Sequence, residues 1–526
     1  MPGWLDNAVF YEVYPQSFCD SNGDGIGDLR GLISKLDYIR ELGCNAIWLN
    51  PCFDSPFYDA GYDIRDYYRI APRYGTNQDA KELFDKVHAR NMRIILDLVV
   101  GQTSIEHPWF KESMSSMKNR YTDRYIWTPD RKHMPPIDKA GVFNSNLRGF
   151  IIGFGGRSGC CAVNFYSTQP ALNFGFREIN DPSWQCGMND PGPLATREAV
   201  KDIMRFWLDM GCDGFRCDLA GHLVKCDPTQ EGNIELWNDF RAFLDEEYPD
   251  AAIISEWGCP EYSIRAGFHM DFLLKSGNQH YWELFRSEKP FFSRRGEGDI
   301  TPFTENFMFE YVRTNGKGLI CIPSSNHDIS RITDCLDAEE IKIAFAFILS
   351  MPGAPFIYYG DEIGMRNLEG LDPVEGSEER IMGRTPMQWK RGLNAGFSSA
   401  GADALYAPID PDVNRPNAEE QMGDPDSLYN EIRKLISVRL ENSPLQSNGK
   451  VSFIFAEKDA YPFVYLRSDE NSRVLVVLNP KDEAAEVRLQ EDFGDYEVIY
   501  ANHGAAELRG GVLRVPASSA SFLKLR

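Results

Sequence analysis

Over roughly its first 440 residues this chain repeats one pattern, a short apolar β-prone run followed by a helix with one apolar face, and that alternation constrains its fold more than any other feature. Val9–Tyr14, Ala46–Asn50, Ile94–Val100, Gly214–Cys217, Ala252–Ser255, Phe268–Phe272, Leu319–Ser324 and Pro355–Tyr359 read as eight strands. Between the first two, Leu29, Leu32, Ile33, Leu36, Ile39 and Leu42 share a helical face that Asp28 can cap and Gly43 can end. Ala80, Leu83, Phe84 and Val87 make a second stripe, and Val200, Ile203, Met204, Trp207 and Met210 a third, which stops at Gly211. Apolar strands with covering helices require a parallel sheet buried on both faces. Eight repeats favour closure into a (β/α)₈ TIM barrel over an open doubly wound sheet, and no Gly-x-Gly-x-x-Gly loop stands where a dinucleotide would bind.

Two stretches break the rhythm. Residues 101–172 are polar and hold the glycine-rich Phe154–Gly159, which reads as a domain inserted after strand three. From residue 448 the pattern switches to alternation, with strands expected at Val451–Ala456, Phe463–Arg467, Val474–Leu478, Glu497–Tyr500 and Val512–Val515. The expected domains are therefore a barrel over 1–100 and 173–447, an inserted B domain over 101–172, and a C-terminal antiparallel β-sandwich over 448–526. Asn394–Asp426 reads as loop.

The formal net charge of −23 opposes a nucleic-acid footprint and binding to anionic lipid. The longest apolar run, Ile341–Met351, is too short to span a bilayer. The first residues lack the basic-then-apolar pattern of a secretory signal. Twelve cysteines are scattered; Cys44, Cys212, Cys217 and Cys321 interrupt core segments, Cys160 and Cys161 are adjacent, and none has zinc-site spacing. Buried reduced thiols in the cytoplasm are the expectation.

Barrel chemistry is done at the carboxyl ends of strands. Asp97 ends strand three, Asp218 follows strand four in GFRCD, Glu256 ends strand five in IISEW, and Asp328 follows strand seven in SSNHD. Separately, Asp20, Asn22, Asp24 and Asp28 recur at calcium-loop spacing around Gly23, Gly25 and Gly27, without the last glutamate of an EF-hand.

The chain resembles the α-amylase family of glycoside hydrolases, in the branch of oligo-1,6-glucosidases, α-glucosidases and sucrose- or trehalose-acting enzymes. The motifs run nearly end to end: VFYEVYPQSF, SNGDGIGDLRGL, DAGYDIRDY, DLVV, GFRCD, the Glu256 strand, NHD, YYGDEIGM and GRTPMQW. The resemblance implies retaining chemistry on α-glucosides, with Asp218 as nucleophile, Glu256 as acid/base and Asp328 holding sugar hydroxyls against a positive transition state. Arg216, two residues before Asp218 on the same strand face, is placed to keep that carboxylate ionised. Asp97 is expected to organise Arg216. Asp63 with Arg384 resembles the pair that closes the nonreducing end of the sugar site. Tyr62 offers a stacking face, His327 a donor, and Arg380 and Gln102 further substrate contacts. Trp257, Phe154 and Phe165 are candidates to line the pocket. The metal loop would add the Ile26 carbonyl and hold a structural Ca²⁺, with Mg²⁺ or a metal-free Asx turn as the alternatives. No organic cofactor is implied.

Two departures matter. Where the family commonly continues DLVV with Asn-His-Thr-Ser, this chain has Gly101, Gln102, Thr103 and Ser104, so the sugar contact near the primary hydroxyl and a B-domain calcium site are both in doubt. Leu219, Ala220 and Gly221 replace the valine often found after the nucleophile in enzymes preferring α-1,6 bonds. Hydrolysis of a short α-glucoside is the leading expectation, with glucosyl transfer or isomerisation of the sucrose/trehalose type, or sugar binding without catalysis, as alternatives. Monomer and homo-oligomer stay open.

Overall fold

The computed structural model describes residues 1–133, 149–152, 155–274 and 279–526. Its centre is a closed parallel barrel of eight strands in chain order. They are β1 (Phe10–Val13), β2 (Ala46–Leu49), β3 (Arg93–Leu98), β4 (Gly214–Cys217), β5 (Ala252–Ser255), β6 (Met270–Phe272), β7 (Leu319–Pro323) and β8 (Ala354–Tyr358). All eight expected strands are present, with ends that agree to within two residues.

The period-two alternation of a strand explains both cores. Inward rows supply Phe10, Ala46, Trp48, Ile95, Ile254, Met270, Phe272, Cys321 and Phe356, which fill the barrel. Outward residues such as Val9, Ile47, Leu96, Phe215, Cys217 and Ile253 pack under the helices. The inward rows of β1, β3, β4 and β5 continue upward into Glu12, Asp97, Arg216 and Glu256, so the parity that fills the barrel also aims charge at its carboxyl rim.

Asp28 does cap a helix, accepting from the Gly31 N–H, but the expected single helix is two, Leu29–Ser34 and Leu36–Leu42, broken at Lys35. Gly43 and Gly211 end their helices in the left-handed conformation, at φ 107° and 116°, which glycine adopts without a Cβ penalty. Between β3 and β4 the chain leaves the barrel and forms the hairpin Gly149–Ile152 with Cys160–Val163. Cys160 and Cys161 are buried on that second strand, and no disulfide forms among the described residues.

The C-terminal region holds a five-stranded antiparallel sheet in the order Lys450–Phe455, Phe463–Ser468, Arg473–Asn479, Ser519–Leu525, Tyr496–Asn502. A three-stranded sheet of Ala485–Arg488, Val512–Val515 and Glu507–Arg509 packs on it through Val464, Leu475, Leu513 and Leu523. Two fully buried arginines tie the turn before β8 to later parts of the chain, one from the barrel's last helix and one from the C-terminal sheet. Arg439, on the helix Leu428–Glu441, donates to the carbonyls of Leu349 (2.9 Å), Met351 (3.0 Å) and Gly353 (2.6 Å). Arg467 donates to the carbonyls of Ser350, Gln446 (2.8 Å), Gly449 (3.1 Å), Lys450 (3.2 Å) and Leu445 (3.4 Å). Among the described residues no helix is long and apolar enough to cross a membrane.

Candidate active site

The register of β3, β4 and β5 sets Asp97 beside Arg216 and Cys217 beside Ser255. One residue on, the ladder still holds both acids: the Asp218 N–H donates to the Leu98 carbonyl (3.1 Å) and the Glu256 N–H to that of Cys217 (3.0 Å). Asp218 and Glu256 thus leave the sheet as neighbours.

One guanidinium ties them together. Arg216 Nη1 lies 2.7 Å from Asp97 Oδ1 and 2.9 Å from Asp218 Oδ1, and Nη2 lies 2.9 Å from Glu256 Oε2. Arginine alone offers a planar fork that can serve three carboxylates at once. Asp97 is fixed from its other side by Trp48 Nε1 (3.3 Å) and Tyr62 Oη (3.2 Å). Glu256 Oε2 also accepts the Leu219 N–H at 3.0 Å. Leu219 stands at φ 43°, strained for a residue with a Cβ, and that backbone turn is what aims its N–H at the acid. Burial pushes Glu256 up to about 7, with the Asp218 charge adding and Arg216 opposing. Burial likewise pushes Asp218 up to about 6, with Arg216 opposing and Asp97 adding.

Asp328 enters from the opposite rim. Burial alone would raise its carboxyl, but His327, Arg384 and Arg380 outweigh that and hold it well below the carboxylate range. Its Oδ1 meets Arg380 Nη1 at 2.9 Å and Arg384 Nη2 at 3.1 Å, and its Oδ2 meets His327 Nε2 at 3.2 Å. Burial would lower the imidazole, yet Asp328 and Glu12, the latter 2.8 Å from Nδ1, push it up to about 9. Asp328 is therefore an anion backed by cations, while Glu256 is the acid most able to carry a proton.

These three acids share a cavity of about 280 Å³ with Asp59, Tyr62, Gln102, Phe165, Tyr166, Leu219, Glu378 and Arg380. That is near the lower end of the roughly 300–1,000 Å³ common for small-molecule sites. A larger concavity of about 800 Å³ lies on the inserted segment around Trp127 and Trp184 and contains none of the three acids.

Tyr62, Gln102 and Arg380 therefore stand where expected, and four other expected contacts do not. Arg216 and His327 sit behind the acids and the Tyr62 ring; His327 Nε2 is 2.5 Å from Tyr62 Oη, so both its nitrogens are used inside the protein. The Asp63–Arg384 pair does not form. Asp63 turns back into its own loop, accepting from Ser55 Oγ (3.0 Å) and from the N–H groups of Tyr58 (3.1 Å) and Asp59 (3.0 Å). Arg384 spends its fork on Asp328, on the His327 carbonyl (2.6 Å) and on Tyr14 Oη (3.3 Å). The pair across the cavity is Asp59 with Arg380, 3.5 Å apart. The string DAGYD holds two aspartates four residues apart, and only the fold of the turn tells which one faces out. Tyr166 and Glu378, joined at 3.0 Å, were also not foreseen. Trp257 packs against Phe268 rather than lining the cavity, Phe165 lines it, and Phe154 lies outside the described residues.

In the loop after β1, all four lone-pair directions of Asp20 are taken. Its Oδ1 accepts from the N–H groups of Asn22 (3.0 Å) and Gly23 (2.7 Å), and its Oδ2 from the Gly25 N–H (2.8 Å) and Ser398 Oγ (2.5 Å). Asp28 is spent on Ser21 and the Gly31 N–H, Asn22 on the Asp24 N–H, and one Asp24 oxygen on the Ile26 N–H. Nested Asx turns account for these contacts, and a cation here would have to displace the Ser21 hydroxyl from Asp28 and the Ser398 hydroxyl from Asp20. Among the described residues no three His, Cys, Asp or Glu side chains are grouped as metal ligands.

A closed parallel barrel with three convergent acids at its carboxyl rim defines a class of sugar-cleaving enzymes. The chain belongs to the alpha-amylase family of glycoside hydrolases, matching the alpha amylase catalytic domain over residues 12–448. It is 30% identical to the probable oligo-1,6-glucosidase 2 of Bacillus subtilis, over 99% of this chain and 98% of that protein. It is 34% identical to the trehalose synthase/amylase TreS of Mycolicibacterium smegmatis, over 83% of this chain and 76% of that one. The structure of an isomaltulose synthase mutant from Erwinia rhapontici in complex with sucrose superposes with a TM-score of 0.82, at 27% identity and covering all of both chains. Glucosidase-type chemistry follows from the relatives; they do not agree on one activity.

Proposed function

We propose that the chain is a retaining α-glucosidase acting on short α-linked glucosides. Asp218 attacks the anomeric carbon as the bond to the leaving oxygen breaks, and Glu256 gives that oxygen its proton. Water then attacks the same carbon, its proton passes to Glu256, and Asp218 departs. Asp328, ionised, favours the positive transition state and grips ring hydroxyls. The observation that carries this reading is the Arg216 fork, which draws Asp218 and Glu256 together while their titrations stay ordered, about 6 below about 7. The small cavity and the Asp59–Arg380 pair support an exo-acting site for a terminal glucosyl unit.

Transfer or isomerisation uses the same glycosyl-enzyme, and the TreS and isomaltulose synthase relatives favour it as the second reading. Maltose, isomaltose, sucrose and trehalose, followed by product analysis and by NMR of the first anomer released, test both. Monosaccharides with retained configuration support hydrolysis, new disaccharides support transfer, and an inverted first product refutes the nucleophile. Sugar binding with no turnover on the panel would favour the non-catalytic alternative.

For the loop at residues 20–28 we propose a structural Ca²⁺ site that requires the Ser21 and Ser398 hydroxyls to turn away. Identical melting in chelator and in calcium would refute it. Buried thiols without disulfides support a reducing compartment, the cytoplasm in our reading.

A further inference from the structure

The floor of the cavity carries a polar chain that the retaining mechanism does not use. Lys225 Nζ donates to the His222 carbonyl (2.6 Å) and to Asn164 Oδ1 (2.9 Å). Asn164 Nδ2 donates to Gln102 Oε1 (2.7 Å), and Gln102 Nε2 donates to the Tyr62 carbonyl (3.2 Å). Gln102, Asn164 and Lys225 are 1%, 2% and 0% exposed, so water does not compete for these bonds. Gln102 is the member that reaches the cavity where the three acids meet.

The direction of this chain is fixed from both ends. An ammonium only donates and a peptide carbonyl only accepts. Turning the Asn164 amide over would set Nδ2 against the lysine ammonium. Turning Gln102 over would set Oε1 against the Tyr62 carbonyl and Nε2 against Asn164 Nδ2. Burial makes either mismatch costly. A second observation ties the relay to this chain's own departures. A Cβ at Gly101 would lie 2.6 Å from Asn164 Nδ2, and Gly101 has no left-handed φ, so glycine is there for space. Gly101 and Gln102 are thus two halves of one arrangement around Asn164.

We propose that Lys225 and Asn164 are positioning residues that lock the Gln102 carboxamide with its second Nε2 hydrogen toward the sugar. Gln102 then selects a glycone that presents an oxygen acceptor there, and it does so at any working pH, since an amide does not titrate. The inference rests on the reading that this cavity takes the glucosyl ring.

The test uses kcat/KM on 4-nitrophenyl α-glucoside and on its monodeoxy and monodeoxyfluoro analogues at each ring hydroxyl. Fluorine accepts a hydrogen bond weakly and donates none, whereas hydrogen does neither. Comparing wild type with Gln102→Ala for the same analogue cancels fluorine's inductive effect. At one hydroxyl, wild type should lose roughly tenfold or more on the deoxy analogue and less on the fluoro one, and Gln102→Ala should not distinguish them beyond about twofold. Asn164→Asp supplies the decisive inversion. Its carboxylate pairs with Lys225 and accepts from Gln102, so the amide turns over and its oxygen faces the cavity. The fluoro analogue should then fall by about tenfold relative to the parent, with a lower melting temperature from the Oε1 now facing the Tyr62 carbonyl. Lys225→Met should shift the analogue ratios toward those of Gln102→Ala, and Lys225→Arg should restore them; a merely structural lysine would lower every substrate alike. Ratios unchanged between wild type, Gln102→Ala and Asn164→Asp overturn the proposal while leaving glucosidase activity intact. No turnover of the parent glucoside by wild type overturns the glucosidase reading, and this one with it.

Discussion

The two acids that share Arg216 dictate a narrow pH optimum. Activity needs Asp218 ionised and Glu256 protonated, so the working species is the singly protonated pair. With Asp218 near 6 and Glu256 near 7, that species peaks midway, near pH 6.5, at roughly 60% of the enzyme, from 1/(1 + 2 × 10^−0.5). A pH unit and a half is enough to leave it: by pH 5 or pH 8 the same expression falls to roughly 9%. The acidic limb is protonation of the nucleophile and the alkaline limb is loss of the acid's proton. The assay is kcat/KM, which reports the free enzyme. Glu256→Gln assigns the limbs. On 4-nitrophenyl α-glucoside, whose leaving group departs without a proton, this variant should lose the alkaline limb and keep the acidic one, while on maltose it should lose about 10²–10⁴-fold. An alkaline limb that survives Glu256→Gln unchanged would refute the assignment. So would a plateau extending from pH 5 to 8, since it would mean that burial does not set these groups.

Four further outcomes follow from the contacts. Asp59→Asn should cut kcat/KM by roughly 10²-fold or more with little change in melting, because it breaks a charge pair facing the substrate. Asp63→Asn should melt lower and lose less activity, since that carboxylate holds two backbone N–H groups and a serine; the reverse order would restore the Asp63 reading. Glu362 is buried against Tyr11 (2.8 Å) and Tyr38 (2.6 Å), and burial pushes it up to about 7 despite those donors. A carboxyl raised in the folded state loses stability as pH climbs from its unfolded value through 7, by about 3 kcal/mol at most. Urea titrations at pH 5 and 8 should show Glu362→Gln flattening that slope, and an identical slope would count against it. Arg467→Lys should lower the stability read from the denaturation midpoint by about 2 kcal/mol, because three donors on a flexible stem cannot serve five carbonyls. No change would show the cage to be unimportant.

The barrel was legible because its signals are periodic: inward and outward rows alternate on every strand, and Asp28, Gly43 and Gly211 mark helix ends by local chemistry. The three acids were legible because strand ends in a barrel share a rim wherever they fall in the chain. What stayed hidden depended on direction rather than position. Asp59 and Asp63 differ only in which way a turn folds, and Arg380 and Arg384 in which end of a short helical segment meets the cavity. His327 offers a donor in the sequence and gives it to the protein. The strand Ser519–Leu525, second from the edge of its sheet, was missed because its buried positions include Ser519, Ala520 and Ser521, which carry no apolar periodicity. Asn164 lies more than sixty residues from Gln102, and nothing in either string announces the bond between them.

The arginine cages at residues 439 and 467 bind the order of synthesis to the moment of completion. The turn that feeds the eighth strand, residues 349–353, displays carbonyls that no earlier part of the chain satisfies. These carbonyls therefore wait for partners 86 to 117 residues further along the chain, and the turn before the eighth strand is complete only once Arg439 and Arg467 have both been made. The terminal sheet thus supplies one of the two guanidinium groups that finish the catalytic unit, and the barrel's own last helix supplies the other.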